Sequence, residues 1–122
     1  MRSERLYLID IVQATDDIER FLGATEESDF YADDILKTAI VHKLMLIGEA
    51  ASKISRGLKA RYPIVKWKSV LGFRNIVVHE YFAVDWKVVW ATAKISAPEI
   101  QEQIISILEA EYPDYKKALK SK

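Results

Sequence analysis

Residues 36–58 read LKTAIVHKLMLIGEAASKISRGL, and this stretch decides the fold. Its apolar side chains recur at steps of three and four residues, which is the spacing of one face of an α-helix. The seam consists of Leu36, Ile40, Leu44, Ile47, Ala51, Ile54 and Leu58. Gly48, Ala50 and Ala51 make one part of this helix thin, which allows a close neighbour. The pattern predicts a long helix packed inside a bundle.

The sequence before and after this seam also predicts helices, because glycine and proline are few and no strict apolar–polar alternation persists. We expect a first helix over residues 4–22, with Gly23 as its stop. Ser28 and Asp29 are both candidate caps for the next helix. A third helix should start near Trp67 and continue into the motif described below.

The last third of the chain predicts further helical segments and a loose end. Asp85 suits the N-cap of a helix, and Pro98 predicts a kink or a restart. Residues 113–122 are rich in lysine, and we expect them to be frayed. Residues 1–122 should therefore form a single all-α domain, an antiparallel bundle of four to five helices.

Composition excludes several classes of protein. The chain has 122 residues and 50% hydrophobic content, which suits one domain with a real core. It has no cysteine, which excludes disulfides and thiolate metal sites, and two histidines alone make a poor metal set. We expect no metal and no cofactor. The N-terminus does not resemble a signal peptide, and no apolar run approaches ~20 residues, so we expect a soluble cytoplasmic protein without a membrane partner.

The formal net charge of zero hides an uneven distribution along the chain. Residues 1–40 have four basic and ten acidic side chains, whereas residues 41–70 have seven basic side chains and one acidic. A basic middle would attract a polyanion such as RNA. The alternative is that these lysines form the solvated face of a helix.

The segment 74–81, RNIVVHEY, places polar groups with catalytic potential on an otherwise apolar stretch. Arg74 offers bidentate hydrogen bonds to a phosphate, and His79 can exchange a proton near neutral pH. Asn75 lies one helical turn before His79 and could orient its ring. Arg74 and His79 differ by about 140° on a straight helix. Three arrangements would bring them together: the long arginine side chain wraps around the helix, the helix bends near Gly72, or a second copy of the chain supplies the missing half of the site. We favour a dimer in which the arginine side chain also wraps around the helix.

Several polar and aromatic residues, inside and outside this motif, also have a purely structural interpretation. Arg74 could be an ion-paired surface arginine, and His42 is expected to be structural or solvent-facing. Glu49 could pair with Lys53 one turn later or brace Arg74, and the pairing is favoured. Tryptophans in this pattern are more often core and interface anchors than platforms for bases. The three tryptophans are Trp67, Trp86 and Trp90.

The motif and its flanking pieces resemble a known family. Arg74, four intervening residues, His79 and, two residues on, Tyr81 are similar to the signature of HEPN domains (higher eukaryotes and prokaryotes nucleotide-binding), and in particular of HepT toxins of HepT–MntA toxin–antitoxin pairs. The resemblance covers most of the chain. Its pieces are Tyr7-Leu8-Ile9-Asp10-Ile11, Ile47-Gly48-Glu49-Ala50-Ala51, Tyr62-Pro63 with Trp67, Gly72-Phe73-Arg74-Asn75, His79-Glu80-Tyr81-Phe82, Val84-Asp85 with Val89-Trp90, and Pro98-Glu99.

This resemblance implies a function and a role for each motif residue. Such proteins are all-α homodimers that cut cellular RNA without a metal, in a cleft between subunits, as toxins of a type VII-like system. By this resemblance, Arg74 binds the scissile phosphate, Asn75 supports that site and His79 is the acid/base. The cognate partner, a minimal nucleotidyltransferase, neutralises the toxin by transferring AMP to Tyr81. The alternatives are a non-catalytic nucleotide-binding module, or a scaffold partner of a minimal nucleotidyltransferase.

Overall fold

The computed structural model describes residues 2–76 and 84–120, and these residues form helices and no β-strand. The α-helices are α1 at Glu4–Leu22, α2 at Glu27–Ala32, α3 at Asp34–Ser52, α4 at Arg56–Arg61, α5 at Trp67–Gly72, α6 at Trp86–Ala91, α7 at Ala97–Glu111 and α8 at Tyr115–Lys120. A 3₁₀ turn at Phe73–Asn75 follows α5, and a π-helical segment at Thr92–Ser96 joins α6 to α7. None of the helices in this part of the chain is both long and apolar enough to span a bilayer.

Helix α1 packs between α3 and α7 and runs antiparallel to both. Its start meets the end of α3, where Glu4 accepts a hydrogen bond from the Ser55 amide, and further along Asp17 pairs with Lys43. The amide of Gln101 on α7 reaches the Val12 carbonyl of α1. The fully buried side chains that fill the space between these helices include Leu8, Ile11, Ile18, Ile40, Leu44, Ile47, Ile104 and Leu108. The predicted fold class, an all-α antiparallel bundle, is confirmed.

The ends of α1 follow the prediction. The helix spans Glu4–Leu22, and Gly23 terminates it with a φ of 48°, a left-handed conformation that favours glycine. The Gly23 amide still donates to the Glu19 carbonyl at 3.0 Å, which satisfies one of the last carbonyls of the helix.

The seam over residues 36–58 is divided between two helices, so the prediction of one continuous helix is wrong. Helix α3 ends at Ser52, and α4 begins at Arg56 after a cap at Ser55, whose hydroxyl accepts from the Leu58 amide at 3.2 Å. Ile54 and Leu58 stay buried across the break. The apolar spacing therefore reports which side chains are buried, whereas the serine cap decides where the helix is interrupted.

The helix caps are partly as predicted. Asp33, and not Ser28 or Asp29, caps α3 by accepting from the Leu36 amide at 2.9 Å, because the two other residues lie inside the short helix α2. Asp85 caps α6 as expected, and its carboxylate accepts from the Lys87 amide at 3.1 Å and the Val88 amide at 3.3 Å.

The C-terminal third is more continuous than predicted. Pro98 is the second residue of α7, and the π-helical segment directly before α7 connects it to α6 without a restart. The Lys-rich end differs from the frayed tail that we expected, because α8 forms there and Tyr115 is 5% exposed. The buried phenol ring anchors this last helix to the bundle.

Candidate active site

Two of the four motif residues lie in the described part of the chain. Arg74 and Asn75 sit in the 3₁₀ turn that follows α5, and both are exposed to solvent. His79 and Tyr81 lie outside the described residues, so their roles stay predictions. The change from α-helix to a 3₁₀ turn at Phe73 alters the direction in which successive side chains point. The angle of a straight helix therefore does not apply to Arg74.

The 3₁₀ turn is packed against the thin part of α3. A Cβ atom added to Gly48 would lie 2.7 Å from the backbone nitrogen of Arg74 and 2.8 Å from its Cγ. Real Cβ atoms essentially never approach other heavy atoms so closely. The predicted close neighbour of this stretch of α3 is therefore the motif itself. Gly72, which we expected to permit a bend or close approach, faces open space, with no atom within 4 Å of such a Cβ.

Lys59 of α4 adds a second positive charge near Arg74. Its ammonium lies 5.8 Å from the centroid of the Trp67 ring, and the side chain is half-buried. Burial lowers the pKa of Lys59, the Arg74 guanidinium lowers it further, and Glu4 opposes both. Within the described residues, no carboxylate forms an ion pair with either cation. Two cations within electrostatic reach of each other favour the approach of an anion.

The remaining candidates behave as their structural interpretations predicted. His42 is exposed on α3, and Glu49 lies 3.9 Å from Lys53. Trp67 is buried, and its indole N–H donates to the Tyr62 carbonyl at 3.0 Å. The other two tryptophans pack on Phe30, with ring centroids at 6.4 Å for Trp86 and 5.2 Å for Trp90. Over residues 2–76 and 84–120, no group of three or more His, Asp or Glu side chains could hold a metal ion.

Sequence reasoning missed the role of Lys59 and the partner of Gly48. Lys59 was visible only as one of seven basic residues between positions 41 and 70. The thin stretch around Gly48 predicted a close neighbour, but nothing in the spacing identified Arg74, which lies on a separate helix. Both relations depend on tertiary packing.

The fold and this site define a helical bundle that exposes an arginine able to donate two parallel hydrogen bonds to a phosphate-bearing ligand. Comparison with known proteins narrows this class. The family model described as "Ribonuclease HepT-like" matches residues 11–107, and the chain belongs to that family. No solved structure matches the chain at a significant level.

The chain aligns with most of the length of several relatives. "Putative RNase MJ1216" of Methanocaldococcus jannaschii is 36% identical over 108 residues, which is 88% of this chain and 89% of that protein. "Putative RNase TTE0752" of Caldanaerobacter subterraneus is 36% identical over 112 residues, covering 91% and 99%. "Probable ribonuclease HepT" of Thermococcus cleftensis is 34% identical over 100 residues, covering 82% and 91%.

Proposed function

We propose that the chain is a metal-independent endoribonuclease. The observation that supports this most directly is the exposed Arg74, whose stem lies against α3 while its guanidinium lacks a carboxylate partner among the described residues. A guanidinium held in this way is free to bind a phosphodiester with two parallel hydrogen bonds. Lys59 adds a second charge that favours a polyanion, and the family to which the chain belongs is described as ribonuclease HepT-like.

The proposed reaction is transesterification within RNA. The ribose 2′-oxygen attacks the adjacent phosphorus, and the bond from phosphorus to the 5′-oxygen breaks, which leaves a 2′,3′-cyclic phosphate and a free 5′-hydroxyl. Arg74 stabilises the additional negative charge on the phosphorane oxygens. His79 takes the 2′-hydroxyl proton or delivers a proton to the leaving oxygen, and Asn75 supports the phosphate site.

Cleavage measurements on single variants test this reaction. Arg74→Ala should lower cleavage of RNA in EDTA by about 10²–10³-fold, because a preorganised donor to the transition state is lost. Arg56→Ala removes another exposed arginine, at the start of α4, and should cleave like the parent protein. Equal activity of the parent protein and His79→Ala, or an intact RNA substrate with all variants, would contradict the proposal.

The proposed site uses both subunits of a homodimer. One motif has one imidazole, whereas the reaction needs a base and an acid, and a two-fold pair supplies a second His79 and a second Arg74. Mixing subunits tests this arrangement. When half of the subunits are His79→Ala, shared sites should keep about a quarter of the parent activity and independent sites about half, if mixing is random. Loss in simple proportion to the variant fraction would rule out the shared site.

We further propose that the protein is the toxin of a toxin–antitoxin pair and that a cognate minimal nucleotidyltransferase inactivates it by modifying Tyr81. The phenol oxygen attacks the α-phosphate of ATP, pyrophosphate leaves, and the phenol proton passes to solvent. The added phosphodiester would compete with RNA for Arg74. Two of the described tyrosines are poor acceptors, because the hydroxyls of Tyr31 and Tyr62 already donate to Glu27 and Glu111. The first of these contacts raises the pKa of Tyr31 to about 12.

Mass spectrometry after coexpression with such a partner tests the modification. The parent chain should gain mass in whole AMP units, and Tyr81→Phe should abolish the gain while the bundle stays folded. Tyr62→Phe is the matched control, because it removes a phenol that is already hydrogen-bonded, and it should be modified like the parent protein. Labelling at Tyr112 or Tyr115 instead would contradict the assignment.

A further inference from the structure

We propose that Gly48 of α3 is a positioning residue for Arg74. The missing side chain of this glycine makes the space in which the backbone and the first side-chain carbons of the arginine lie. This inference rests on the proposed ribonuclease function and deepens it, because it names the contact that holds the phosphate-binding group.

The contact is unusually close on two independent atoms. A Cβ on Gly48 would lie 2.7 Å from the Arg74 nitrogen, 2.8 Å from the Arg74 Cγ and 3.2 Å from the carbonyl carbon of Phe73. Two of these three atoms are backbone, so a rotamer change of the arginine alone cannot relieve the overlap. The 3₁₀ turn at Phe73–Asn75 would have to move away from α3, and the guanidinium would move with it.

The conformation of Gly48 does not explain why a glycine occupies this place. Gly23 is the only glycine among the described residues with a positive φ, so Gly48 has ordinary helical geometry that alanine also adopts. At Gly57 the nearest atom to an added Cβ is 3.8 Å away, in the flexible Arg61 side chain, and at Gly72 there is none within 4 Å. Gly48 therefore differs from Gly57 and Gly72 in what fills the space beside it.

Its location joins the core to the site. Gly48 is buried on α3, whose neighbours Ile47 and Ala51 are fully buried in the core. The Arg74 side chain leaves this buried backbone and ends in solvent. Packing against the core thus fixes the backbone and the first side-chain carbons of Arg74. The guanidinium therefore loses less conformational entropy when it binds a phosphate.

The test compares three glycine-to-alanine variants. Gly48→Ala should lower kcat for RNA cleavage by about 10–100-fold, because a displacement on the order of 1 Å misaligns the guanidinium. Gly72→Ala places the same methyl group in open space and Gly57→Ala places it in ordinary contact with the flexible Arg61 side chain, so both should retain parent kcat and KM. Parent kcat in Gly48→Ala, or equal losses in all three variants, would overturn the proposal.

A double variant separates positioning from general damage. If Gly48 acts mainly through Arg74, then Gly48→Ala should cause a much smaller loss in an Arg74→Ala background than in the parent protein, and the remainder comes from Asn75 in the same turn; unrelated structural damage would multiply the two losses. Multiplied losses overturn the proposal.

A measurement on the parent protein keeps the proposal testable if Gly48→Ala does not fold. Nuclear Overhauser effects should join the Gly48 α-protons to the amide and γ-protons of Arg74, and their absence overturns the inference. This result does not depend on RNA cleavage. Failure of the parent protein to cut RNA would instead count against the proposed ribonuclease function.

Discussion

Two residues that are distant from Arg74 in sequence belong to its surroundings in the fold. Gly48 gives its backbone room against α3, and the Arg74 guanidinium, after the larger effect of burial, lowers the pKa of Lys59. The motif could be recognised in the sequence, and the exposure of Arg74 leaves the predicted phosphate-binding role open to test. The two supporting residues could not be assigned, because their relation to Arg74 arises only when α3, α4 and α5 pack together.

The salt dependence of RNA binding tests Lys59 at this scale. Lys59→Gln, measured in a His79→Ala background that prevents cutting, should reduce the slope of log affinity against log salt by about 0.7, the value for one lost contact to a single-stranded phosphate. Filter binding or fluorescence anisotropy over a salt series gives this slope.

The matched control for Lys59 is another lysine of the basic middle segment. Lys53→Gln also removes one positive charge, but its side chain is 52% exposed and lies 3.9 Å from Glu49. It should change the slope little. An equal change in both variants would mean that the whole basic segment, and not Lys59 in particular, attracts the RNA.

Among the elements, α3 and α4 illustrate what periodicity can and cannot predict. The residues of the seam over 36–58 are buried as predicted, including Ile54 and Leu58, except for Leu36, which is partly buried. The seam did not predict the interruption between Ser52 and Arg56, since two helix pieces can bury the same face. Ser55, which caps the second piece, is the residue from which the break could have been predicted.

The N-cap of α6 provides a stability test for a single element. Asp85→Ala should lower the free energy of unfolding by about 1 kcal/mol, because the carboxylate accepts from two amides of the first turn. A change of this size corresponds to a decrease of about 4 °C in Tm, which thermal unfolding followed by circular dichroism can resolve.

Two further variants control for this cap. Asp85→Asn keeps an oxygen that can accept the same bonds and should retain most of the parent Tm. Glu102→Ala removes an exposed carboxylate from α7 and should change the Tm little. A loss in Asp85→Asn equal to that in Asp85→Ala would argue that charge, and not the hydrogen-bonded cap, stabilises α6.

Across the whole molecule, carboxylates join helices that are far apart in sequence. Asp17 of α1 accepts from Lys43 of α3 at 2.8 Å, and Glu111 of α7 accepts from Arg61 at 2.8 Å and from Tyr62 at 2.7 Å. The Lys43 contact lowers the pKa of Asp17 below its ordinary value of 3.8. The Tyr62 hydroxyl, followed by Arg61, lowers the pKa of Glu111 below 4.5.

These lowered pKa values predict a dependence of stability on acid. A carboxylate whose pKa is lower in the folded state stabilises that state above its unfolded-state pKa, and this contribution is lost as pH falls through the folded-state pKa. The Tm should therefore fall below about pH 4 and stay nearly constant from there towards neutrality, as far as these two groups determine it. Asp17→Asn should flatten part of this acid limb, and an unchanged limb would contradict the role of Asp17.

The all-α architecture and the ends of α1 could be predicted from the sequence, whereas the connection between α6 and α7 could not. Pro98 predicted a kink or restart, but the chain continues through a π-helical turn at Thr92–Ser96. Val89, Ala93 and Ala97 stay buried at steps of four residues through this wide turn. The position of a proline can be read from the sequence. A π-helical turn cannot, because it forms in response to how the two helices pack against the core.

The wide turn makes this connection tolerant of a change in chain length. Removing one residue from it, such as the 69% exposed Ile95, would tighten it to ordinary α-helical pitch and keep the apolar side of α7 towards α1, at a cost of about 3 kcal/mol because Pro98 would then lie inside a continuous α-helix. The same deletion inside α3 would rotate everything beyond it by about 100° and carry Gly48 off the arginine. One-residue contractions should therefore be accommodated between α6 and α7 and rejected at the centre of α3.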